Sequence, residues 1–298
     1  MSLLQESGRH CFTGIGDEGG ASLAVQIECH RVLGWRTLEL RSVDGTPVAS
    51  LPPKQLDAAC GALIDAGLGV PVIDSQIGNW KSDIGDAFDS DLQELDLLAR
   101  AGQRLQTRML RIMSYPNKHL GDEAWKSEVV RRLTILTERA AGYGLVLVHE
   151  NCAGWGGQSL AHTQALLEAI PHPNFQLLFD LGNGPAYGYD AVDWLEHVVS
   201  RIGHVHVKDA RFGSDGEVHY THAGEGTCRL AESMAYLHRR GYAGLWSIEP
   251  HLALIPHLQQ TPDLATDRSG QYLEYARGAM ALFDAASATK LEEIAHAV

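Results

Sequence analysis

The chain has 298 residues, 45% of them hydrophobic, which is enough to bury a sizeable core. Its 24 basic residues face 37 acidic ones, and a formal charge of −13 argues against nucleic-acid or anionic-membrane partners and for a soluble enzyme of small molecules. Cys11, Cys29, Cys60, Cys152 and Cys228 are scattered with no CxxC pair, which reads as reduced thiols; with no signal segment and no apolar run of membrane length, the expectation is a cytoplasmic protein.

Short apolar strands ending in polar residues alternate with amphipathic segments along the whole chain. The first strand is expected at His10–Gly16, followed by a Gly-rich turn and a helix over Ala21–Leu33. A second strand follows at Thr37–Val43, and a helix from Pro53, well suited to a first helical turn, to about Ala66. Val70–Ile77 and Asp91–Leu105 make the third pair, and Met109–Ser114 and Ser127–Tyr143 the fourth. Leu145–Asn151 is apolar until His149-Glu150-Asn151, as expected of a parallel strand buried on both faces. Ser159 is a candidate N-cap for the helix Ser159–Ile170; Phe175–Asp180 and Asp190–Ile202 follow. Strand seven is Gly203–Asp209, then a long loop (Arg211–Thr227), a helix at Leu230–Arg239, strand eight at Gly244–Pro250 and an amphipathic tail helix from about Asp267 to Ala285. Unbroken alternation of eight units, with no linker between them, predicts one (β/α)8 TIM barrel over residues 1–298 with an extra C-terminal helix. No Gly-x-Gly-x-x-Gly follows the first strand, which weakens a dinucleotide-binding alternative.

Glu150, Asp180, His206 and Glu249 stand at the C-terminal ends of four consecutive strands, the end of a barrel where active sites form. Neighbouring strands lie about 4.8 Å apart, so these side chains can converge on one ion. Alternation puts Glu150 with Val146 and Val148, and Glu249 with Ser247, on the lumen side. One such carboxylate alone is more often a helix cap or a rim residue; four in series with ligand chemistry are not. Three carboxylates and an imidazole suit Mn²⁺ or Mg²⁺, with Zn²⁺ or Co²⁺ as alternatives. His204 and Lys208 share the His206 face, while His149 faces the helices by parity; Glu39, Arg41 and Arg111 are further lumen candidates. Trp80, Tyr115 and Trp155 follow strands and are candidate pocket walls.

His149-Glu150-Asn151, Phe179-Asp180-Leu181-Gly182-Asn183, His204-Val205-His206-Val207-Lys208-Asp209, Gly224-Glu225-Gly226 and Ser247-Ile248-Glu249-Pro250 occur in the order found in the xylose-isomerase-like sugar phosphate isomerase/epimerase superfamily, which the chain resembles most strongly between about 145 and 251. The resemblance implies one divalent cation on Glu150, Asp180, His206 and Glu249, with Glu150 and Glu249 doubling as acid/base groups. It implies substrate contacts at Asn183 and Lys208, to which His204 and Arg211 are added as candidates, and a homodimer or homotetramer. Ketohexose 3-epimerases of the superfamily have His, Arg and Glu where this chain has Asn183, Phe212 (beside Arg211) and Gly156, which argues against that activity.

The leading expectation is a metal-dependent isomerase or epimerase of a small sugar or keto-polyol, working through an enediolate by proton transfer between the two glutamates. A dehydratase of a keto-cyclitol or dehydroshikimate-like substrate shares the first step. An apurinic-endonuclease-like DNA repair enzyme is a remote alternative: strands two and three carry Glu39 and Gln76 rather than metal histidines, and the charge is strongly negative.

Overall fold

Parallel strands buried on both faces need helices on one side and a filled lumen on the other. A computed structural model describes residues 11–214, 217–256 and 267–295 of the chain and has both. Seven parallel strands run in the order Phe12–Gly14, Trp246–Ile248, Ile202–Val207, Phe175–Asp180, Val146–Gly154, Met109–Ser114 and Val72–Asp74. Residues 37–40 supply the eighth stave through single parallel bridges, Ile15 to Glu39, Thr37 to Gly69 and Leu40 to Ile73. Glu39 N donates to Gly14 O at 2.9 Å and Leu40 N to Val72 O at 3.1 Å, so this segment joins the two ends of the sheet into a TIM barrel.

Seven helices, Leu23–Leu33, Pro53–Asp65, Phe88–Leu105, Asp122–Gly142, Leu160–Ala169, Ala191–Val198 and Leu230–Arg239, cover the outside among the described residues. Ser159 Oγ caps its helix by accepting from His162 N at 3.2 Å, and Asp190 caps the next by accepting from Val192 N at 3.0 Å. Two helices begin earlier than their apolar periodicity indicates, at Phe88 and Asp122, because Asp89 and Asp91, and Asp122 and Glu123, put negative charge on their first turns. None of the described helices is long and apolar enough to cross a membrane.

Two elements depart from expectation. The continuous strand Thr37–Val43 breaks after Leu40, and Ser42–Val43 pairs antiparallel with Thr46–Pro47. Asp44 and Gly45 form the two-residue turn with φ of 52° and 76°, the Asp-Gly chemistry that favours a hairpin. The Arg211–Thr227 loop contains a second ribbon, Ala210–Phe212 against Val218–Tyr220. His10, expected to open the first strand, lies outside the described residues.

The lumen has two layers. Val72, Val148 and Leu178 are fully buried and pack with Met109 and Val146 as an apolar floor. One pleat further along the same strands stand Asp74, Arg111, Glu150 and Asp180. The tail helix Arg268–Ala295 packs along the barrel, with Tyr272, Tyr275, Ala276 and Phe283 buried. The Tyr272 hydroxyl and His30 Nε2 are 2.9 Å apart, while His30 Nδ1 lies 2.7 Å from Thr37 O, which ties the tail, the first helix and the eighth stave together. Replacing Tyr272 by Ala should therefore cost about 3–5 kcal/mol, and by Phe about 0.5–1.5 kcal/mol, in urea unfolding. A tail that contributes nothing to the folded core would leave the Ala variant within about 0.5 kcal/mol of the parent.

Candidate metal centre and active site

The alternation that fills the floor with Val148 and Leu178 lifts Glu150 and Asp180 to the open end of the barrel, and the same spacing raises His206 and Glu249 on the next two strands. One ligand atom from each of Glu150, Asp180, His206 and Glu249 lies within 4.8 Å of the other three, and all four residues are buried. Asn151 fixes the middle of the group: its Oδ1 accepts from Asp180 N at 2.6 Å, and its Nδ2 donates to Asp180 O at 3.0 Å. Gly182 N donates to Asp180 Oδ1 at 2.7 Å. A Cβ at Gly182 would stand 2.3 Å from Lys208 O, so only glycine permits this crossing of the two strand ends.

Asp17, Glu18, Glu39, Asp74, Glu150, Asp180 and Glu249 are all buried here, against the fixed cations Arg41, Arg111 and Lys208. Lys208 Nζ stands 2.5 Å from Asp180 Oδ2 and 2.8 Å from Glu249 Oε2. Arg41 reaches Asp17 and Glu18 at 2.7 Å each and Glu249 at 2.9 Å. Arg111 pairs with Glu150 at 3.2 Å and Asp74 at 3.5 Å. Burial disfavours charge on Glu249, yet Lys208, His251 and His206 together hold it well below the usual carboxylate range. At Asp180 burial wins over Lys208, and Glu249 and Glu150 add to it, raising the carboxyl to about 6. Asp74 is pushed well above its ordinary value, chiefly by burial. Seven carboxyl groups against three fixed cations leave an acidic excess that burial relieves in part by favouring the neutral form of Asp74, and a divalent cation would offset part of the rest.

His206 supplies a second test of fit. Its Nε2 is 2.9 Å from Glu39 Oε1, whereas its Nδ1 is buried without a hydrogen-bond partner and lies 3.5 Å from Glu249 Oε2. Burial pulls this imidazole down, but Glu39 and Glu249 outweigh it and hold it well above the ordinary histidine value. A buried nitrogen with no partner, pointed at three carboxylates, completes a hard oxygen-rich donor set that fits Mg²⁺, Mn²⁺ or Zn²⁺.

The pocket above the quartet encloses about 220 Å³. That is below the roughly 300–1,000 Å³ of drug-sized sites and suits a monosaccharide-sized ligand. Asn183, Lys208, Tyr220 and His251 line it with the glutamates, and Trp80 forms part of its wall as expected. Asn183 Nδ2 lies 3.3 Å from Glu150 Oε1. Tyr115 and Trp155 turn away instead: the Tyr115 hydroxyl donates to Asp91 at 2.7 Å and Trp155 Nε1 to Asp122 at 3.0 Å, so both brace the loop layer. Arg211 is exposed on the ribbon Ala210–Phe212 and does not line the pocket; His204 lies below it with Nε2 2.8 Å from Glu39 Oε2. His149 is buried against Phe175 on the helix side, as parity predicts.

Gly224-Glu225-Gly226 serves the loop. Asp209 accepts from Gly224 N at 2.8 Å and Gly226 N at 3.0 Å, and a Cβ at Gly226 would meet Asp209 Oδ1 at 2.1 Å. At position 156 a Cβ would stand 2.5 Å from Leu166 Cδ2 and 3.1 Å from His149 Cε1, so a side chain there would require the Leu166 side chain to shift. Sequence reasoning missed Asp17, Glu18, Asp74 and His251. Asp17 and Glu18 sit in the short helix Gly16–Gly19, a segment that the sequence marks only as a Gly-rich turn, and His251 follows Pro250 with φ of 54°, outside any strand alternation.

The sequence model of the xylose isomerase-like TIM barrel family matches residues 31–271. The chain belongs to this family. The inosose dehydratase of Bacillus licheniformis is 29% identical over 169 residues, 52% of each chain. The inosose dehydratase of Mesomycoplasma hyopneumoniae is 39% identical over 69 residues, 23% of each. The matches thus span from about a quarter to half the length of these relatives. Among solved structures, an L-ribulose 3-epimerase superposes with TM-score 0.74 at 17% identity, covering 96% of this chain and 98% of that one. A xylose isomerase-like TIM barrel protein of Mycobacterium smegmatis in complex with magnesium gives 0.68 at 15%, covering 96% and 99%. The IolI protein with a zinc atom gives 0.71 at 14%, covering 92% and 98%. At these identities the structural likeness speaks to the fold.

Purified protein should carry about one divalent ion per chain, removable with a chelator, and Glu150→Gln with Asp180→Asn should abolish its retention. Elemental analysis after gel filtration reads this directly; full occupancy in the double variant would remove the quartet as the ion's cage.

Proposed function

We propose that the protein removes a proton from a carbon beside a carbonyl in a small polyhydroxylated ketone, with a divalent cation held by Glu150, Asp180, His206 and Glu249. The observation that carries this is the convergence of those four buried side chains beneath a monosaccharide-sized pocket. When bound, the cation supplies electrostatic stabilisation for the oxygen that gains negative charge as the proton leaves. Glu249 is the proposed base, since its neighbours keep it ionised at neutral pH. Glu150 handles the second proton; its strand is separated from that of Glu249 by two others in the sheet, so the carboxyls approach from different directions. Lys208 and Asn183 supply N–H donors to orient substrate oxygens, and Trp80 limits water at the mouth.

Two outcomes share this first step. Dehydration follows if the next carbon loses its hydroxyl as water, with the second proton going to the departing oxygen. Isomerisation or epimerisation follows if the proton returns to carbon. We place dehydration of a keto-cyclitol first, because the curated relatives carry the name inosose dehydratase. A carbohydrate isomerase or epimerase remains the second reading, favoured by the presence of two glutamates able to serve opposite substrate faces. We further propose that residues 1–298 form one cytoplasmic domain that assembles as a homodimer or homotetramer, a state that sedimentation at micromolar concentration reads.

With Mn²⁺ present, a panel of inososes and ketohexoses in deuterated water should show an inosose losing water to a conjugated ketone. Deuterium incorporated at carbon in a ketone that has lost no water would instead support the second reading, and inertness of every ketone in the metal-loaded protein would end both. Glu249→Gln, with metal occupancy confirmed, should lower turnover by about 10²–10⁴-fold. A variant close to the parent rate would remove Glu249 as the base.

A further inference from the structure

Glu39 is fully buried and lies on the stave at residues 37–40, across the lumen from His204 and His206. Its main chain is committed to the barrel: Glu39 N donates to Gly14 O at 2.9 Å and Glu39 O accepts from Gly16 N at 3.0 Å. The carboxylate therefore projects from a fixed point on the wall. Oε2 lies 2.8 Å from His204 Nε2 and Oε1 lies 2.9 Å from His206 Nε2, with the two rings 5.5 Å apart at 81°.

We propose that Glu39 is the positioning residue of the metal centre: by taking an N–H from Nε2 of both histidines, it leaves His206 Nδ1 as the lone-pair donor facing Glu150, Asp180 and Glu249. The inference rests on the metal reading given above and adds the residue that prepares one of its ligands. An ionised carboxylate offers acceptors alone, so each Nε2 that contacts it must carry hydrogen, and the other ring nitrogen is the one able to bind a cation, which displaces any proton held there. Both Nδ1 atoms are buried without hydrogen-bond partners. That of His206 faces the quartet, 3.5 Å from Glu249 Oε2. His204, one pleat below, orients the second carboxylate oxygen and so fixes the rotation of Glu39.

The same three residues could hold an ion themselves, since their ligand atoms also lie within 4.8 Å of one another. The distances favour hydrogen bonding. Two donors on one tetrahedral ion, each at about 2.0–2.2 Å, would be roughly 3.4 Å apart, whereas these contacts are 2.8 and 2.9 Å.

Glu39→Gln separates these arrangements. The amide is nearly the same size but presents one N–H₂, so one imidazole must reverse its tautomer or lose its partner. Zn²⁺ affinity of the metal-stripped protein, measured against a competing chelator, should fall about 10–100-fold in this variant, while His204→Gln should change it less than His206→Gln does. Ring nitrogen NMR of the Zn²⁺-loaded parent should show hydrogen on His206 Nε2 and the metal shift on Nδ1; this measurement holds even if neither variant folds. Coordination through Nε2, loss of binding in His204→Gln as complete as in His206→Gln, or parental affinity in folded Glu39→Gln would each overturn the proposal. If the parent itself binds no divalent ion, the metal reading falls and this inference with it; if the parent binds and Glu39→Gln binds equally, this inference alone falls.

Discussion

The open end of the barrel concentrates more buried negative charge than its own lysine and arginines neutralise, and much of the surrounding structure answers to that. Burying an unpaired carboxylate costs several kcal/mol even after relaxation. Here Arg41 spans Asp17, Glu18 and Glu249, Arg111 joins Asp74 to Glu150, and Lys208 bridges Asp180 and Glu249. These contacts fix the rotamers of groups that would otherwise repel one another. They also draw in parts of the chain remote in sequence, from Gly16–Gly19 to His251, so that the site is a shared product of the segments that follow the first and last strands. The apolar floor of Val72, Val148 and Leu178 keeps the network away from water on the other side, which strengthens each pairing.

Within that network the quartet and Glu39 play different parts. Glu150, Asp180, His206 and Glu249 present atoms toward one point, whereas Glu39 faces the rear of the His206 ring and determines which nitrogen is presented. Such a division is common where a histidine binds a cation, because the imidazole alone has two chemically similar ends. Proton abstraction beside a carbonyl then needs little more from the protein than an ionised carboxylate in reach and a pocket of the right size. That economy fits the occurrence of a dehydratase among the relatives and an epimerase among proteins of the same barrel fold.

Much of this was legible from period two alone. Val146, Val148 and Glu150 share a face, as do Leu178 and Asp180, and Ser247 and Glu249, and the described lumen follows that alternation. The helix at Leu160–Ala169 was marked by its cap Ser159, whereas Asp190, which the sequence marks only as the start of the next helical segment, proves to cap Ala191–Val198. The eighth stave was harder, because residues 37–40 make single bridges and the Asp44-Gly45 turn diverts the chain immediately afterwards. Asp17, Glu18 and His251 were invisible for a different reason: they enter the site from turns, where no alternation assigns a direction. Tyr115 and Trp155 show the converse error, since a large aromatic after a strand can serve the loop layer as well as the pocket, and their hydrogen bonds to Asp91 and Asp122 decide for the former.

The central claim is that one cation belongs among Glu150, Asp180, His206 and Glu249. Anomalous diffraction from a crystal soaked in Mn²⁺ tests it most directly. The account predicts a single strong peak within coordination distance of all four side chains, on the Nδ1 side of His206, with Lys208 displaced from between Asp180 and Glu249. A peak between Glu39, His204 and His206, or saturating Mn²⁺ with no peak at the quartet, would contradict it.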